Sequence, residues 1–370
     1  MMAKYRVLTI NPGSTSTKVA VFDDETEVFS KNIVHAAEDL AAFAQLTQQK
    51  PYRAALILEA LQENGIDLSS LSAVVGRGGG LLAVEGGVYI IDDLLLSHAE
   101  KGANGVVHPA QLGSLLANDI AKEYGIPAYV VNPPDTDELE AVARLTGIKG
   151  VYRNVHLHAL NLKETAIRHA AAMHKKVEEC NFIVCHIGGG VSVSAHRYGK
   201  MIDGNDIVGG EGPMAPTRCG NVPASEIIDL CFSGISQKEA KALCTKTGGF
   251  VSHLNTSDAR EVVRLAEEGN QYAALVWDAF KYQIIKEIGA MAAVLQGKAD
   301  GILLSGGIVH SQELVESIRQ SCSWIAPVSA YPGEFEMEAM AAGAIRVLNG
   351  SEAVKTYSGK PVWNPKELGL

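Results

Sequence analysis

The chain has 370 residues, enough for two domains, and its 47% hydrophobic and 20% charged residues are typical of a soluble globular protein. A net charge of -10 without a basic stripe argues against a nucleic-acid partner. The six cysteines form no C-x-x-C pair, no apolar run is as long as a membrane span, and no signal peptide is visible. We therefore expect free thiols, no membrane partner and a cytoplasmic location.

Residues 9–22, with the sequence TINPGSTSTKVAVF, predict a strand, a tight polar turn and a second strand. The turn contains Gly13 and Lys18, but it lacks the glycine before the lysine and the following helix that a Walker A loop requires. Backbone N–H groups, hydroxyls and Asn11 can still bind phosphate in such a turn. An ordinary hairpin with a polar tip is the alternative, and these residues alone favour it.

Further along the chain, helical patterns alternate with short apolar strands that end in glycines or in Asn132. The strand patterns are SAVVGRGGG, IPAYVVN, NFIVCHIGGG and ADGILLSGGIVHS. The helical patterns are YRAALILEALQENG, AQLGSLLANDIAKEYG, NVHLHALNLKETAIRHAAAMHKK, QYAALVWDAFKYQIIKEIGAMAAVLQG and EMEAMAAGAIRVLNG. We expect Asn154 to cap the third of these helices. The alternation predicts an α/β protein.

Two segments about half a chain apart share one pattern. RVLTINPGSTSTKVAVFDDETEVFS and NFIVCHIGGGVSVSAHRYGKMIDGN each read as a buried strand, a glycine-bearing turn, a second strand, a charged turn and a third strand. The repetition predicts a duplicated domain, in which two facing hairpins hold a phosphate chain. Because hairpins with glycine turns are common, chance similarity is the alternative.

The motifs NPGSTSTK, GRGGG, HAL, HIGGG, GEGPMAPTRCG and SGGI occur in the order of the acetate kinase and butyrate kinase family. This resemblance runs from Arg6 to about Leu348, and the tail YPGEFEMEAMAAGAIRVL is more similar to the butyrate kinase branch. It implies duplicated domains of the ribonuclease H-like fold shared with actin, hexokinase and Hsp70, with an active-site cleft between them. We expect domains at 1–150, completed by a C-terminal helix in 336–370, and at 151–335, the latter binding nucleotide.

The resemblance implies direct in-line phosphoryl transfer between ATP and butyrate or a similar short- or branched-chain fatty acid in fermentative butyrate metabolism. The products are ADP and an acyl phosphate, magnesium assists, and the protein is a homodimer or larger homo-oligomer. Such a reaction needs fixed cations and alignment, and a carboxylate acceptor needs no catalytic base. The rival readings are a sugar or polyol kinase and a non-catalytic nucleotide-binding module of the same superfold.

The resemblance also implies catalytic roles for individual residues. Arg77 binds the carboxylate or acyl phosphate, and Arg218 stabilises the phosphoryl group in transfer, where a guanidinium suits a planar anion better than an ammonium. His158 hydrogen-bonds that group, with His156 as its rival. Asn132 stands where the family has an aspartate that helps to position magnesium. Asp135 or Asp137 could supply the missing carboxylate.

Phosphate, nucleotide and metal positions follow from the same motifs. The implied phosphate and nucleotide positions are Asn11, Ser14, Ser16, His186, Gly188, Gly189, Gly190, Ser305, Gly306, Gly307 and Ile308. For magnesium the resemblance implies Glu336 together with Asn11, and Glu334 and Glu338 are alternatives. The glycines would admit the ligand close to the backbone.

Acetate kinases line the acetate methyl group with Val, Leu, Phe and Pro, and the positions matched here are Gly79, Val107, Leu157 and Gly209. Every change removes bulk, so we expect the pocket to accept a longer or branched acyl chain. Each buried methylene contributes ~0.8 kcal/mol, which favours butyrate or isobutyrate over acetate by roughly one to two orders of magnitude. The alternative is that shifted helices refill the space.

Overall fold

The structure, a computed structural model, describes residues 4–369 and divides into two compact units. The first unit runs up to Asp137 and resumes at Phe335, and the second is Glu138–Glu334. Residues 138–150, which we expected in the first domain, thus lie in the second unit. The carboxylate of Glu138 accepts hydrogen bonds from Lys163 Nζ at 2.7 Å and from Met201 N at 2.8 Å, which anchors this segment there.

The first unit contains one mixed sheet and its covering helices. Its strands are β1 (Arg6–Pro12), β2 (Ser16–Asp23), β3 (Thr26–Val34), β4 (Ala73–Gly76), β5 (Val88–Ile90) and β6 (Ala128–Val131). Its α-helices are α1 (Ala37–Ala41), α2 (Gln49–Glu63), α3 (Asp93–Lys101), α4 (Leu112–Tyr124) and α13 (Glu336–Leu348). The strand order is β3-β2-β1-β4-β6-β5, in which β1 is antiparallel to β2 and parallel to β4. Helix α13 packs against β1, β4 and β6.

The second unit repeats this plan with fewer strands and more helices. Its strands are β7 (Asn181–Ile187), β8 (Val191–Arg197), β9 (Lys200–Gly204), β10 (Gly301–Gly306) and β11 (Val328–Pro332). Its α-helices are α5 (Ala141–Arg144), α6 (Ala159–Ala172), α7 (Ala224–Phe232), α8 (Gln237–Leu243), α9 (Phe250–Leu254), α10 (Ala259–Glu267), α11 (Gln271–Val294) and α12 (Gln312–Cys322). The strand order is β11-β10-β7-β8-β9.

Helix α11 is the central packing element of the second unit. Its buried residues Trp277, Phe280, Ile284 and Ile288 recur at spacings of three and four, so they form one face that packs against β8 and the neighbouring helices. The long apolar pattern of this helix reflects burial within the unit. Within residues 4–369, no helix combines the length and apolar character needed to cross a membrane.

The two units share one topology, which confirms the duplication predicted from the repeated pattern. Each begins with a three-stranded antiparallel meander, β1-β2-β3 or β7-β8-β9. In each, the first strand of the meander pairs on its other side with a later parallel strand, β4 or β10. Parallel strands that are joined through helices give an α/β architecture, as expected.

Parallel pairing places the ends of several strands at one edge of each sheet. In the first unit, β1, β4 and β6 are mutually parallel neighbours, and they end at Pro12, Gly76 and Val131. In the second unit, β7, β10 and β11 are parallel neighbours and end at Ile187, Gly306 and Pro332. The carboxyl ends of parallel strands are the usual ligand-binding edge of such sheets.

The segment before α6 differs from our expectation. The helix begins at Ala159, so Asn154 does not cap it, and His158 occupies the capping position without a side-chain cap. Within the segment, Val155 and Leu157 are buried whereas His156 and His158 are partly exposed. This alternation with a period of two belongs to an extended chain and not to a helix.

Helix α13 approaches β6 closely at Gly343, where a Cβ atom would lie 2.5 Å from Val131 Cγ1. We predict that Gly343→Ala lowers the free energy of unfolding by about 1–3 kcal/mol through overpacking. The matched control is Gly289→Ala in α11, where the added Cβ meets no atom within 4 Å and improves helix propensity. Scanning calorimetry of both variants measures the difference. Equal midpoints for Gly343→Ala and the unaltered protein would contradict the close packing.

Candidate active site

The turn between β1 and β2 is closed by its own backbone. Gly13 N donates to Ser16 O at 2.7 Å, and His35 N donates to Thr15 O at 2.9 Å. Ser14 is exposed and Ser16 is partly exposed. The structure thus brings Ser14 and Ser16 into one turn, directly after Asn11 at the end of β1, and leaves their hydroxyls available to an anionic ligand.

Arg77 follows the last residue of β4 and opens a loop that requires glycine. Gly78, Gly79 and Gly80 have φ angles of +73°, +135° and +75°, which residues with a Cβ rarely adopt. The Arg77 side chain is only 8% exposed. Its Nη1 donates to Asn132 O at 3.4 Å, so Arg77 is held between the ends of β4 and β6.

A carboxylate at the start of α13 joins these residues. Glu336 Oε2 accepts a hydrogen bond from Asn11 Nδ2 at 2.7 Å, and its Oε1 lies 3.7 Å from Arg77 Nε. Of the three glutamates considered for magnesium, Glu336 is the one placed beside Asn11 and Arg77. Glu334 lies in the second unit, 3.8 Å from His186 Nε2.

The described residues contain no cluster of three or more His, Cys, Asp or Glu side chains arranged to hold a metal ion. Magnesium in phosphoryl-transfer sites is usually held by one or two carboxylates together with substrate phosphates and water. The carboxylate of Glu336 and the amide oxygen of Asn11 are hard oxygen donors of that kind. These two side chains therefore fit a magnesium ion that is bound mainly through a nucleotide.

Asn132 is buried, and its backbone has a positive φ that suits asparagine better than most residues. Its φ is +38°, in the left-handed region that asparagine tolerates better than most residues. Its Oδ1 accepts from Gly87 N at 2.8 Å, and its own N donates to Gly87 O at 3.0 Å. The amide oxygen is thus occupied in holding the chain before β5, while the backbone carbonyl accepts from Arg77.

The neighbouring aspartates, Asp135 and Asp137, are also buried. Asp135 is 7% exposed and accepts a hydrogen bond from Asn104 Nδ2 at 2.6 Å. Asp137 is 6% exposed, and its backbone N donates to Val84 O at 2.8 Å. Both residues contribute to the structure of the loop after β6.

The four positions matched to the acyl pocket have different surroundings. A Cβ atom at Gly79 would have its nearest neighbour, Gln111 N, at 3.5 Å, so space remains there. Val107 is 73% exposed. Leu157 is buried in the core of the second unit, and a Cβ atom at Gly209 would lie 2.5 Å from the carboxylate oxygen Oδ2 of Asp206. Packing has therefore refilled the space at the last two positions.

In the second unit, two histidines meet at the end of β7. The His158 and His186 rings stack with centroids 4.1 Å apart. The Ser192 hydroxyl accepts from His158 N at 3.2 Å and bonds to His158 Nδ1 at 2.8 Å. When Ser192 donates to Nδ1, the proton of the neutral ring is on Nε2, which can then donate to a ligand. His156 instead contacts Asp206 through Nδ1 at 3.3 Å.

The guanidinium of Arg218 lies directly on the glycine turn after β7. A Cβ atom at Gly190 would overlap its Nη1 and Cζ atoms. Its Nε and Nη1 atoms are buried and have no hydrogen-bond partner within residues 4–369. Burial lowers the pKa of Arg218, and the nearby Asp206 carboxylate opposes that shift. Two buried donors of a charged group are therefore available to an anion.

A cleft of about 850 Å³ opens beside this turn, within the second unit. Four of the positions that the resemblance implies for phosphate and nucleotide line it: Gly188, Gly189, Gly307 and Ile308. Ser305 is fully buried and donates to Cys185 O at 3.1 Å, so it stabilises the sheet and does not line the cleft.

Gly306, also expected at the nucleotide, serves the packing of the sheet. Its φ is +100°, and a Cβ atom there would overlap the backbone of Ile187. Gly306 thus allows β10 and β7 to approach each other, whereas the following residue, Gly307, reaches the cleft.

Sequence reasoning missed several residues that line this cleft. Asp258 caps α10 by accepting from Arg260 N at 2.9 Å, and both residues line the cleft with His310 and Trp277. Ser-Asp before an amphipathic run signals the start of a helix, but the pattern contains nothing that indicates a ligand. Trp277 falls in the predicted helix QYAALVWDAFKYQIIKEIGAMAAVLQG, and nothing in that pattern indicates a cleft.

The environment of Asn132 generates a stability prediction. Asn132→Ala removes the acceptor for Gly87 N and places alanine at positive φ, so we expect a loss of about 1–3 kcal/mol in the free energy of unfolding. Asn132→Asp keeps an acceptor oxygen and tolerance of this backbone, so its loss should be smaller. Thermal unfolding of both variants measures the contrast. Equal losses in the two variants would contradict the stabilising role assigned to the acceptor oxygen and to asparagine's tolerance of this backbone.

Comparison with known proteins identifies the family of this chain. A profile described as the acetokinase family matches residues 145–324. The chain is 44% identical over 354 residues to a "Probable butyrate kinase" of Clostridium botulinum (strain Alaska E43 / Type E3), an alignment that covers 95% of this chain and 99% of that protein.

Solved structures support the fold. The acetate kinase of Porphyromonas gingivalis superposes with a TM-score of 0.74 at 19% identity, covering 93% of this chain and 100% of that one. A propionate kinase from Francisella tularensis subsp. tularensis SCHU S4 gives a TM-score of 0.71 at 17% identity, covering 92% of this chain and 98% of that one. These comparisons confirm the fold class and the resemblance predicted from the motifs: the chain belongs to the acetokinase family.

Proposed function

We propose that this chain is a carboxylate kinase that transfers a phosphoryl group between ATP and butyrate or a similar short- or branched-chain fatty acid. The observation that carries the proposal is the guanidinium of Arg218, whose buried Nε and Nη1 have no partner among the described residues and lie against the glycine turn beside a cleft of about 850 Å³. Buried donors without acceptors suit a multiply anionic ligand. Family membership supports a carboxylate as the acceptor.

The proposed reaction joins two anions without a proton transfer. A carboxylate oxygen of the fatty acid attacks the γ-phosphorus of ATP, and the bond from that phosphorus to the bridging oxygen of ADP breaks. Arg218 would neutralise charge on the equatorial oxygens during transfer. His158 would donate a hydrogen bond from Nε2 to the same group, in a ring orientation that Ser192 fixes through Nδ1.

Arg77 is the proposed ligand of the acceptor carboxylate. Its side chain is buried, the glycines after it leave the approach free of side chains, and Glu336 and the Asn132 carbonyl hold its orientation. A fixed guanidinium binds a carboxylate without the entropy cost of ordering a flexible side chain. Direct transfer would therefore depend on placement more than on acid or base catalysis.

Magnesium is part of this proposal. Glu336 and Asn11 would hold it, with the nucleotide phosphates as further ligands. When bound, the ion neutralises charge on the β- and γ-phosphates. The hydrogen bond from Asn11 Nδ2 to Glu336 Oε2 keeps the two side chains together.

The preference for a longer acyl chain now rests on fewer positions. Space remains at Gly79, but Asp206 and the core have taken the space at Gly209 and Leu157. We therefore retain the direction of the prediction and reduce its size, with butyrate favoured over acetate by about tenfold. Two buried methylenes are worth about that much. The butyrate kinase name of the Clostridium botulinum relative supports this direction.

A sugar or polyol kinase of the same superfold is the rival that we do not favour. It would need a carboxylate base near a hydroxyl acceptor. Asp135 is held by Asn104, and both Asp135 and Asp137 are buried in the first unit. A non-catalytic nucleotide-binding module is the other rival, and the assay below separates it from an enzyme.

A homo-oligomer and a cytoplasmic location complete the proposal. Helix α11 exposes Leu275 and Tyr282, each 63% exposed, on the side away from its buried face, which supports an interface between copies. The six cysteines are all free, as expected in a reducing compartment.

Acyl hydroxamate formation tests the function directly. Hydroxylamine traps acyl phosphates, so the protein is incubated with ATP, magnesium and acetate, propionate, butyrate, isobutyrate or isovalerate. We expect kcat/KM to rise at four or five carbons by about tenfold over acetate. Activity with acetate alone would leave a carboxylate kinase and contradict the acyl preference. No hydroxamate from any acid would contradict the proposed function.

The position of Arg218 gives a second test. Gly190→Ala forces the guanidinium off the glycine turn, and we predict that kcat falls by at least about tenfold, as for other losses of a transition-state donor. Gly289→Ala, which adds the same methyl group to open space in α11, should keep kcat within about twofold. An unchanged kcat in Gly190→Ala would exclude the proposed role of Arg218 in its observed position.

A further inference from the structure

Arg53 in α2 is a fully buried arginine with no carboxylate partner among residues 4–369. Its side chain is 0% exposed, and its four hydrogen bonds all end on neutral oxygens. Nε and Nη2 donate to Gln49 Oε1 at 3.1 and 3.0 Å. Nη1 donates to Ser16 O at 3.1 Å and to Thr17 Oγ1 at 2.8 Å. Buried charges in proteins are normally paired with an opposite charge, so this site requires an explanation.

The residues that bond directly to Arg53 carry no negative charge. Thr17 Oγ1 also bonds to His35 Nε2 at 2.8 Å, and the pKa of His35 is lowered by burial and by the charge of Arg53, while the Asp39 carboxylate opposes that shift. Burial also lowers the pKa of Arg53, yet a guanidinium remains charged at neutral pH. The cluster of Arg53, Thr17 and His35 therefore carries a net positive charge.

This cluster lies immediately beneath the turn that we assigned to anion binding. Ser16 O accepts two hydrogen bonds, one from Gly13 N that closes the turn and one from Arg53 Nη1. The backbone N–H of His35 donates a hydrogen bond to Thr15 O, the carbonyl of the residue before Ser16. Arg53 and the backbone of His35 thus hold two carbonyls of the turn, and Arg53 brings a buried charge close to it.

We propose that Arg53 is a positioning residue: it fixes the Gly13–Ser16 turn in its ligand-binding shape, and its charge is balanced by an anionic substrate group bound on the outer side of that turn. The group is either the phosphoryl group or the carboxylate of the substrates. This inference rests on the proposed function and extends it to a residue that does not touch substrate. A buried cation acts strongly on a nearby anion because the protein interior screens charge poorly.

Two substitutions and a matched control test the proposal. Arg53→Met keeps bulk and removes charge and donors, and Arg53→Lys keeps charge but cannot make all four hydrogen bonds. The control is Arg6→Met in β1, because Arg6 pairs with Asp23 at the opposite end of the same hairpin through bonds of 2.6 and 2.7 Å. All variants are assayed where circular dichroism shows them folded.

We expect kcat/KM to fall by at least tenfold in Arg53→Met, less in Arg53→Lys, and at most twofold in Arg6→Met. A fall confined to kcat assigns the turn to the phosphoryl group, and a rise confined to the KM for butyrate assigns it to the carboxylate. Both results support the proposal. Wild-type kcat and KM in a less stable Arg53→Met protein would overturn it, because the residue would then be structural only.

Hydrogen exchange separates this inference from the proposed function. We expect the amides of Gly13–Thr17 to exchange at least tenfold faster in Arg53→Met than in the unaltered protein or in Arg6→Met. If the unaltered protein forms no acyl hydroxamate, the proposed function fails while this measurement still stands. Unchanged exchange in the turn would overturn the positioning role whatever the activity.

Discussion

The parallel pairing of the first strand of each meander with a later strand is the constraint on which the rest of the molecule depends. In the first unit it places the turn after β1 beside the loop that begins with Arg77 and the end of β6. In the second unit it places the Gly188–Gly190 turn beside Gly307. Residues far apart in sequence become neighbours because their strands end at one sheet edge. Duplication of the fold therefore produces two edges with related turns.

Glycine makes those edges usable. The three consecutive glycines after Arg77 all have positive φ, so the loop adopts a backbone conformation that residues with a Cβ rarely allow. At Gly190 the missing Cβ provides the space that Arg218 occupies. In both places the sequence combines glycine with arginine, and at Gly190 the geometry explains the pairing: a backbone without a side chain lets a planar cation lie close to it.

The sequence predicted strands that end in glycines, the duplication and the residues of the two turns, because each depends on local pattern or on a family motif. Other features depended on tertiary packing. Residues 155–158, VHLH, alternate with a period of two, which indicates an extended chain. The sequence nevertheless predicted that the helix begins at Asn154 and includes this segment. Ser305 and Leu157 matched motif positions, yet hydrogen bonding in the sheet and core packing decide where their side chains lie. No sequence pattern distinguishes a buried Arg53 from an exposed helical arginine.

The placement of charge explains how an acidic chain can bring two anions together. The net charge is -10, but Arg53, Arg77 and Arg218 are each withdrawn from solvent, where their charge is poorly screened. They differ in how far that charge is already balanced. Arg77 lies 3.7 Å from Glu336, Arg53 donates only to neutral oxygens, and Arg218 has two donors without partners in the described chain. In the proposed function, Arg218, the least balanced of these cations, would serve the group whose charge is highest, the phosphoryl group in transfer, and the partly balanced Arg77 would serve the singly charged carboxylate. A base would be unnecessary, because the carboxylate is already deprotonated and what opposes the reaction is repulsion between anions.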